Sequence, residues 1–157
     1  MPSKTVLSKR VIEEFLTQPH LAFVGASRDS KQFANAVYRH LRDGGRILYP
    51  VHPVAAEIEG DTAFPRIATV PDPVDGVIVM VRPDAAEQVV REAIERGVPR
   101  VWLHRGVGTG AVSERAVELC RDAAVAVVDG ACPLMFATPV GGVHRLHRLI
   151  SHRRIAA

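Results

Sequence analysis

Short apolar runs alternate along the chain with amphipathic stretches, and the spacing of the apolar positions assigns each to a strand or a helix. Residues 8–17 read as a capped helix with Val11, Ile12, Phe15 and Leu16 on one side. Gln18-Pro19 ends it, because a residue before proline avoids the helical region. Residues 21–24 form the first strand, and Gly25-Ala26-Ser27 turns the chain into a helix whose apolar positions are Phe33, Ala36, Val37, Tyr38 and Leu41. Asp43-Gly44-Gly45 stops that helix, and a second strand follows at 46–51. Residues 54–73, with Pro65, Pro71 and Pro73, read as a loop-rich connection holding one short helical turn.

The remaining elements repeat the alternation. Residues 74–81 are nearly all apolar, as in a strand buried on both faces. Asp84 is the expected N-cap of a helix reaching Arg96, with Ala85, Val89, Ala93 and Ile94 facing inward. A fourth strand at Arg100–His104, a glycine turn at Gly106 and Gly108, a helix at 111–123 and a fifth strand at 125–129 follow, and a last helix is expected at 143–154. This pattern predicts an α/β fold, a doubly wound parallel five-stranded sheet between two helical layers. Right-handed crossovers restrict the strand order, for which 3-2-1-4-5 is the expectation. A ligand then lies beyond the carboxyl ends of the strands, where the winding reverses between the first and fourth.

Composition narrows the class. The 157 residues suit one domain, and 47% apolar content rules out disorder as the main state. No apolar run approaches the roughly 20 residues that span a bilayer, and the charged opening lacks the apolar core of a signal peptide. A cytoplasmic location is therefore expected. Cys120 and Cys132 are too few for a disulfide framework or a zinc ligand set. The net charge of +3 is unevenly spread: Arg145, Arg148, Arg153 and Arg154 follow Asp129, the last acidic residue. Without those four, 16 basic residues face 17 acidic ones. A near-neutral body argues against nucleic-acid binding.

The expected strand ends gather Gly25, Ala26 and Ser27, then His52 and Pro53, Arg82 and Pro83, His104 and Gly106, and finally Cys132. Cations, imidazoles and free backbone amides at one edge suit a phosphate-rich ligand. The first turn keeps one glycine of a dinucleotide fingerprint, and His52-Pro53 stands where a ribose-binding acid belongs. A Walker lysine is absent as well.

Val24-Gly-Ala-Ser27, Tyr49-Pro-Val-His-Pro53, Val81-Arg-Pro83, Trp102 before Gly106, and Asp129 through Cys132-Pro133 together resemble the coenzyme A-binding Rossmann-like family. These are small stand-alone bacterial proteins related to the N-terminal domain of the succinyl-CoA synthetase alpha subunit. The resemblance covers residues 21–133. It implies that Gly25, Ala26 and Ser27 cradle the phosphates of coenzyme A or an acyl-CoA. Val51, His52 and Pro53 would meet the adenosine, and Val81, Arg82 and Pro83 the pantetheine or a phosphate. Gly106 would join the site, with Cys132 towards the thiol. Two positions depart from the family pattern: Phe33-Ala34 occupies a place usually held by a small residue, and Asp129-Gly-Ala-Cys-Pro133 is one residue longer than the frequent Asp-Arg-Cys-Pro.

The expected organisation is an N-terminal helix over residues 1–20, the binding domain over 21–142 and a basic helix over 143–157. That helix, with Leu146, Leu149 and Ile150 on one side, is a candidate surface for a second copy or a partner protein. His144, His147 and His152 lack the acid that would complete a metal site. No catalytic set is assigned, which favours a binding, carrier or regulatory role. Other readings are an NAD(P)-dependent oxidoreductase, a small acyl-CoA transferase, or an interaction module working through the tail.

Overall fold

The computed structural model describes residues 4–105 and 110–136. Helix α1 (Lys4–Leu16) leads into strand β1 (His20–Val24), helix α2 (Phe33–Asp43) and strand β2 (Ile47–Val51). A small antiparallel hairpin, β3 (Glu57–Ile58) and β4 (Asp61–Thr62), precedes a 3-10 turn at Ile67–Thr69. Strand β5 (Gly76–Val79), helix α3 (Pro83–Arg96), strand β6 (Arg100–His104), helix α4 (Glu114–Asp122) and strand β7 (Ala126–Ala131) complete the alternation. A second 3-10 turn follows at Pro133–Met135. The expected helix over 143–154 and the Gly106–Gly108 turn lie outside the described residues.

The five long strands form one parallel sheet in the order β2-β1-β5-β6-β7. The α/β class and the parallel sheet are as expected. The place of one strand is not: the third long strand, β5, lies between β1 and β6 rather than outside β2. Both orders satisfy the handedness rule. Burial favours the observed one, because Gly76–Val79 is buried at every position, whereas edge strand β2 leaves Ile47 half exposed. Pro50 also suits an edge, since proline cannot donate to a ladder on both sides. The winding therefore reverses between β1 and β5.

Alternation along each strand divides the core. Leu21, Phe23, Ile78, Trp102 and Val128 pack with α1 and α2 on one face. Ala22, Val77, Val79, Val101 and Leu103 pack with α3, α4 and the Ile67–Val70 segment on the other. The N-terminal helix is integral to this body: Phe15 meets Trp102 edge to face at 5.3 Å, and both rings are fully buried. Trp102 also donates its indole N–H to the Ala131 carbonyl at 2.8 Å, satisfying the one polar group it brings into the core. The register slips at the end of the β6–β7 pair, where Leu103 faces Asp129 and His104 faces Ala131. Gly130, at φ +103°, is the bulged residue and absorbs the extra position in the Asp129–Pro133 motif.

Three local expectations need correction. The 54–73 connection contains the β3–β4 hairpin as well as the expected helical turn. Arg82, not Asp84, is the N-cap of α3, with Pro83 opening the helix. Ala86, Val90 and Ala93 are its buried residues, Val89 and Ile94 pack against the same core as expected, and Ala85 is exposed instead of facing inward. None of the described helices is long and apolar enough to cross a membrane.

Candidate functional site: the crevice at the carboxyl ends of the strands

The crevice begins where β1 and β5 part. Gly25 has φ +125°, and a Cβ built there would fall 2.3 Å from the Met80 carbonyl oxygen. Glycine is thus required twice, by its backbone angle and by the close approach of the β5 exit. Ala26 is buried beside it.

Ser27 is held by a side chain the sequence reading did not single out. The Asn35 Oδ1 accepts the Ser27 N–H at 2.8 Å, and the Asn35 Nδ2 donates to the Ser27 carbonyl at 2.7 Å. The Ser27 hydroxyl accepts the Asp29 N–H at 3.0 Å, a compact turn of its own. The Ser27 amide and hydroxyl are therefore spent within the protein. What the loop presents is the opening of α2, where Gln32 is the N-cap and makes no side-chain cap hydrogen bond. The first amides of an uncapped helix, at its positive end, are left for water or an anion.

Asn35 is almost fully buried and anchors a wider polar network. Its Nδ2 also donates to Glu59 at 2.9 Å, and Arg39 pairs with the same carboxylate at 2.8 Å. Arg42 donates to the Glu59 carbonyl and pairs with Asp61, which accepts the Tyr38 hydroxyl at 2.6 Å. Burial, then the Asp61 carboxylate, pushes the Tyr38 phenol far above its ordinary range, so it stays protonated and donates to Asp61. The hairpin is pinned to α2, and α2 pins the turn. A lone Asn in a predicted helix carries no pattern that would reveal this.

His52 serves its own turn. Its Nδ1 accepts the amides of Val54 and Ala55 at 3.1 and 2.9 Å, which places the proton on Nε2. Val51 is buried, and Pro53 stands exposed at the β2 end. Across the crevice, α3 also opens without a side-chain cap, from Arg82. The Arg82 side chain is 86% exposed, and its contact with Asp84 is long, at 3.9 Å, worth little in water. Val81 is half buried and packs into the α3 side of the core. The structure thus brings together Gly25, Ala26, Ser27, Val81, Arg82 and Pro83 around the β1–β5 reversal, with Val51, His52 and Pro53 at the adjoining β2 end.

His104 and Cys132 lie farther along the edge, at the ends of β6 and β7. Cys132 is buried at the start of the Pro133–Met135 turn. His104 is 9% exposed, and its Nε2 has no hydrogen-bond partner among the described residues. Burial lowers its pKa, so the imidazole is neutral near pH 7. The ring of Phe33, the first residue of α2, lies 5.8 Å away. The expected site residue Gly106 falls outside the described residues.

Comparison with known proteins agrees with this architecture. The chain is 30% identical over 95 residues to the alpha subunit of an ADP-forming acetate–CoA ligase II from Pyrococcus furiosus, covering 59% of this chain and 21% of that one. An ADP-forming acetate–CoA ligase I from Archaeoglobus fulgidus is 26% identical over 126 residues, covering 76% and 18%. The chain thus spans about a fifth of these curated relatives, both archaeal. Among solved structures, a hypothetical protein from Pyrococcus horikoshii superposes with TM-score 0.76 and 27% identity, covering 86% of this chain and 93% of that one. An acetyl-coenzyme A synthetase from Candidatus Korarchaeum cryptofilum, solved with phosphate and ADP, gives TM-score 0.66 and 25% identity over 76% of this chain and 27% of its own. Residues 20–138 match the model of the CoA binding domain, the span that contains the whole crevice, and the chain belongs to that family.

Proposed function

We propose that the protein binds coenzyme A or an acyl-CoA in the crevice where β1 and β5 part, in a carrier or regulatory role. The observation that carries this reading is the uncapped opening of α2 beside the Gly25–Met80 contact. Free amides at the positive end of a helix hold a diphosphate with no side-chain charge, and the exposed Arg82 adds a cation across the crevice. Gly25 and Ala26 form the floor under the phosphates. Ser27 and Asn35 set the shape of the loop. Val51, His52 and Pro53 face the adenosine, Val81 and Pro83 line the pantetheine, and Cys132 stands towards its thiol end.

Dinucleotide chemistry is disfavoured at the β2 end. The residue in the ribose-binding position is His52, whose Nδ1 is taken by two amides, and an imidazole so held cannot grip a ribose diol as a carboxylate does. A melting scan with coenzyme A, NAD and ATP in parallel tests the assignment. A ligand at 100 times its Kd stabilises the fold by about 2.7 kcal/mol. Coenzyme A alone should raise the melting temperature; a shift with NAD or ATP and none with coenzyme A overturns the reading.

A further inference from the structure

We infer that His104 reads the carbonyl oxygen of an acyl thioester, so that the ligand class is acyl-CoA rather than free coenzyme A. The inference rests on the coenzyme A reading above. His104 is nine-tenths buried, and its Nε2 is unpartnered among the described residues. A buried polar atom without a partner carries an uncompensated desolvation cost, and a ligand that supplies a partner recovers it. The imidazole lies beside Phe33, at the uncapped end of α2. The positive end of a helix opposes a second proton on the ring. Burial also lowers the His104 pKa. A neutral imidazole donating from Nε2 to an oxygen satisfies both conditions.

Which oxygen follows from the surroundings. A phosphate needs water or cations around its charge, and the exposed Arg82 at the exit of β5 and the open α2 amides beside the Gly25 turn offer them. His104 sits instead in a dry position, on the same face as Trp102, with the Phe33 ring against it. An uncharged carbonyl is the acceptor that enters such a place at little cost. Phe33 is 53% exposed, and its ring offers an apolar face to the acyl group. The Nε2 atom is closed off from water, so the thioester reaches it as the Phe33 ring turns aside.

Acetyl-CoA and its thioether analogue S-ethyl-CoA differ only in that carbonyl oxygen, and titration calorimetry of both tests the inference. The wild-type protein should bind acetyl-CoA about tenfold more tightly, the worth of one well-made buried hydrogen bond. His104→Leu should bring the two within about twofold, and His104→Gln, which keeps a side-chain N–H, should retain part of the preference. Equal wild-type affinities overturn the inference while leaving coenzyme A binding intact, as does a preference that survives in His104→Leu. Melting of the unliganded variants reports whether each is folded, and the wild-type comparison decides even if the leucine variant is not. Failure of both ligands to bind overturns the coenzyme A reading itself, and this inference with it.

Discussion

Helices α2 and α4 both follow a parallel strand in the same sheet, yet they begin differently. At α4, Ser113 is the N-cap, and its hydroxyl accepts the Ala116 N–H. It also donates to Glu87 on α3 at 2.7 Å, closing the helix end and tying it to its neighbour. At α2, Gln32 provides no such bond, and α3 likewise opens uncapped from Arg82. A good N-cap is worth about 1 kcal/mol. The two helices that forgo it flank the point where the winding of the sheet reverses, and the helix that keeps it lies towards the sheet's edge. On the proposed reading, a side chain completes the helix end that serves the fold, and the helix ends that face the crevice keep their amides for a ligand.

The hardest way to break this contrast is to close the crevice itself. Gly25→Val places a Cβ against the Met80 carbonyl at a backbone angle that L residues avoid. We expect a loss of 3 kcal/mol or more, about the cost of strain plus overpacking, seen as a large drop in denaturant midpoint and loss of coenzyme A binding. Asn35→Ala strands the Ser27 amide and carbonyl that the side chain now satisfies. That should cost about 2–3 kcal/mol and weaken coenzyme A, because the loop is no longer held in shape.

A matched pair of cap changes sharpens the comparison. Ser113→Ala should lose about 1 kcal/mol in chemical denaturation and leave coenzyme A affinity within about twofold. Gln32→Asp should do the reverse, gaining up to about 1 kcal/mol by capping α2 while weakening coenzyme A about tenfold or more, since the carboxylate occupies the anion's place. If both changes alter binding alike, the distinction between the two helix ends fails.

The smallest effect concerns pH. Burial holds the His104 pKa below its ordinary value of 6.5, so the unfolded chain takes up a proton before the folded one does. The stability this group contributes is present above pH 6.5 and is lost as pH falls below it. His104→Gln should flatten that part of the stability–pH profile, measured by denaturation at several pH values. An unchanged slope would assign the dependence to other groups.

Much of this was legible in the residues. The apolar run 74–81, with no alternation, marks a strand covered on both faces, and Gly25 after an apolar run marks a tight turn. Strand order was not legible, because it depends on where the 54–73 connection crosses. Ile67 and Val70 pack on the α3 face, carrying the chain past β1 to its other side, and no local pattern encodes that route. The start of α3 was misplaced because Asp84 is a good cap by type, whereas Pro83 at the first helical position was the stronger signal. The turn Gly25-Ala-Ser27 was found, but the phosphate-cradling role expected of Ser27 overlooked Asp29 and Asn35, partners fixed by folding. Asn35, Glu59, Asp61 and Tyr38 meet only because the hairpin folds over α2, a long-range event.

The central claim is that the open end of α2, and not the capped end of α4, receives the ligand. Titration of coenzyme A into isotopically labelled protein, followed by amide NMR shifts, tests it most directly. The largest changes should fall at Gly25, Ala26, Phe33 and Ala34, with Ser113 to Ala116 unmoved. Shifts concentrated at Ser113 to Ala116, with the α2 amides silent, would contradict it.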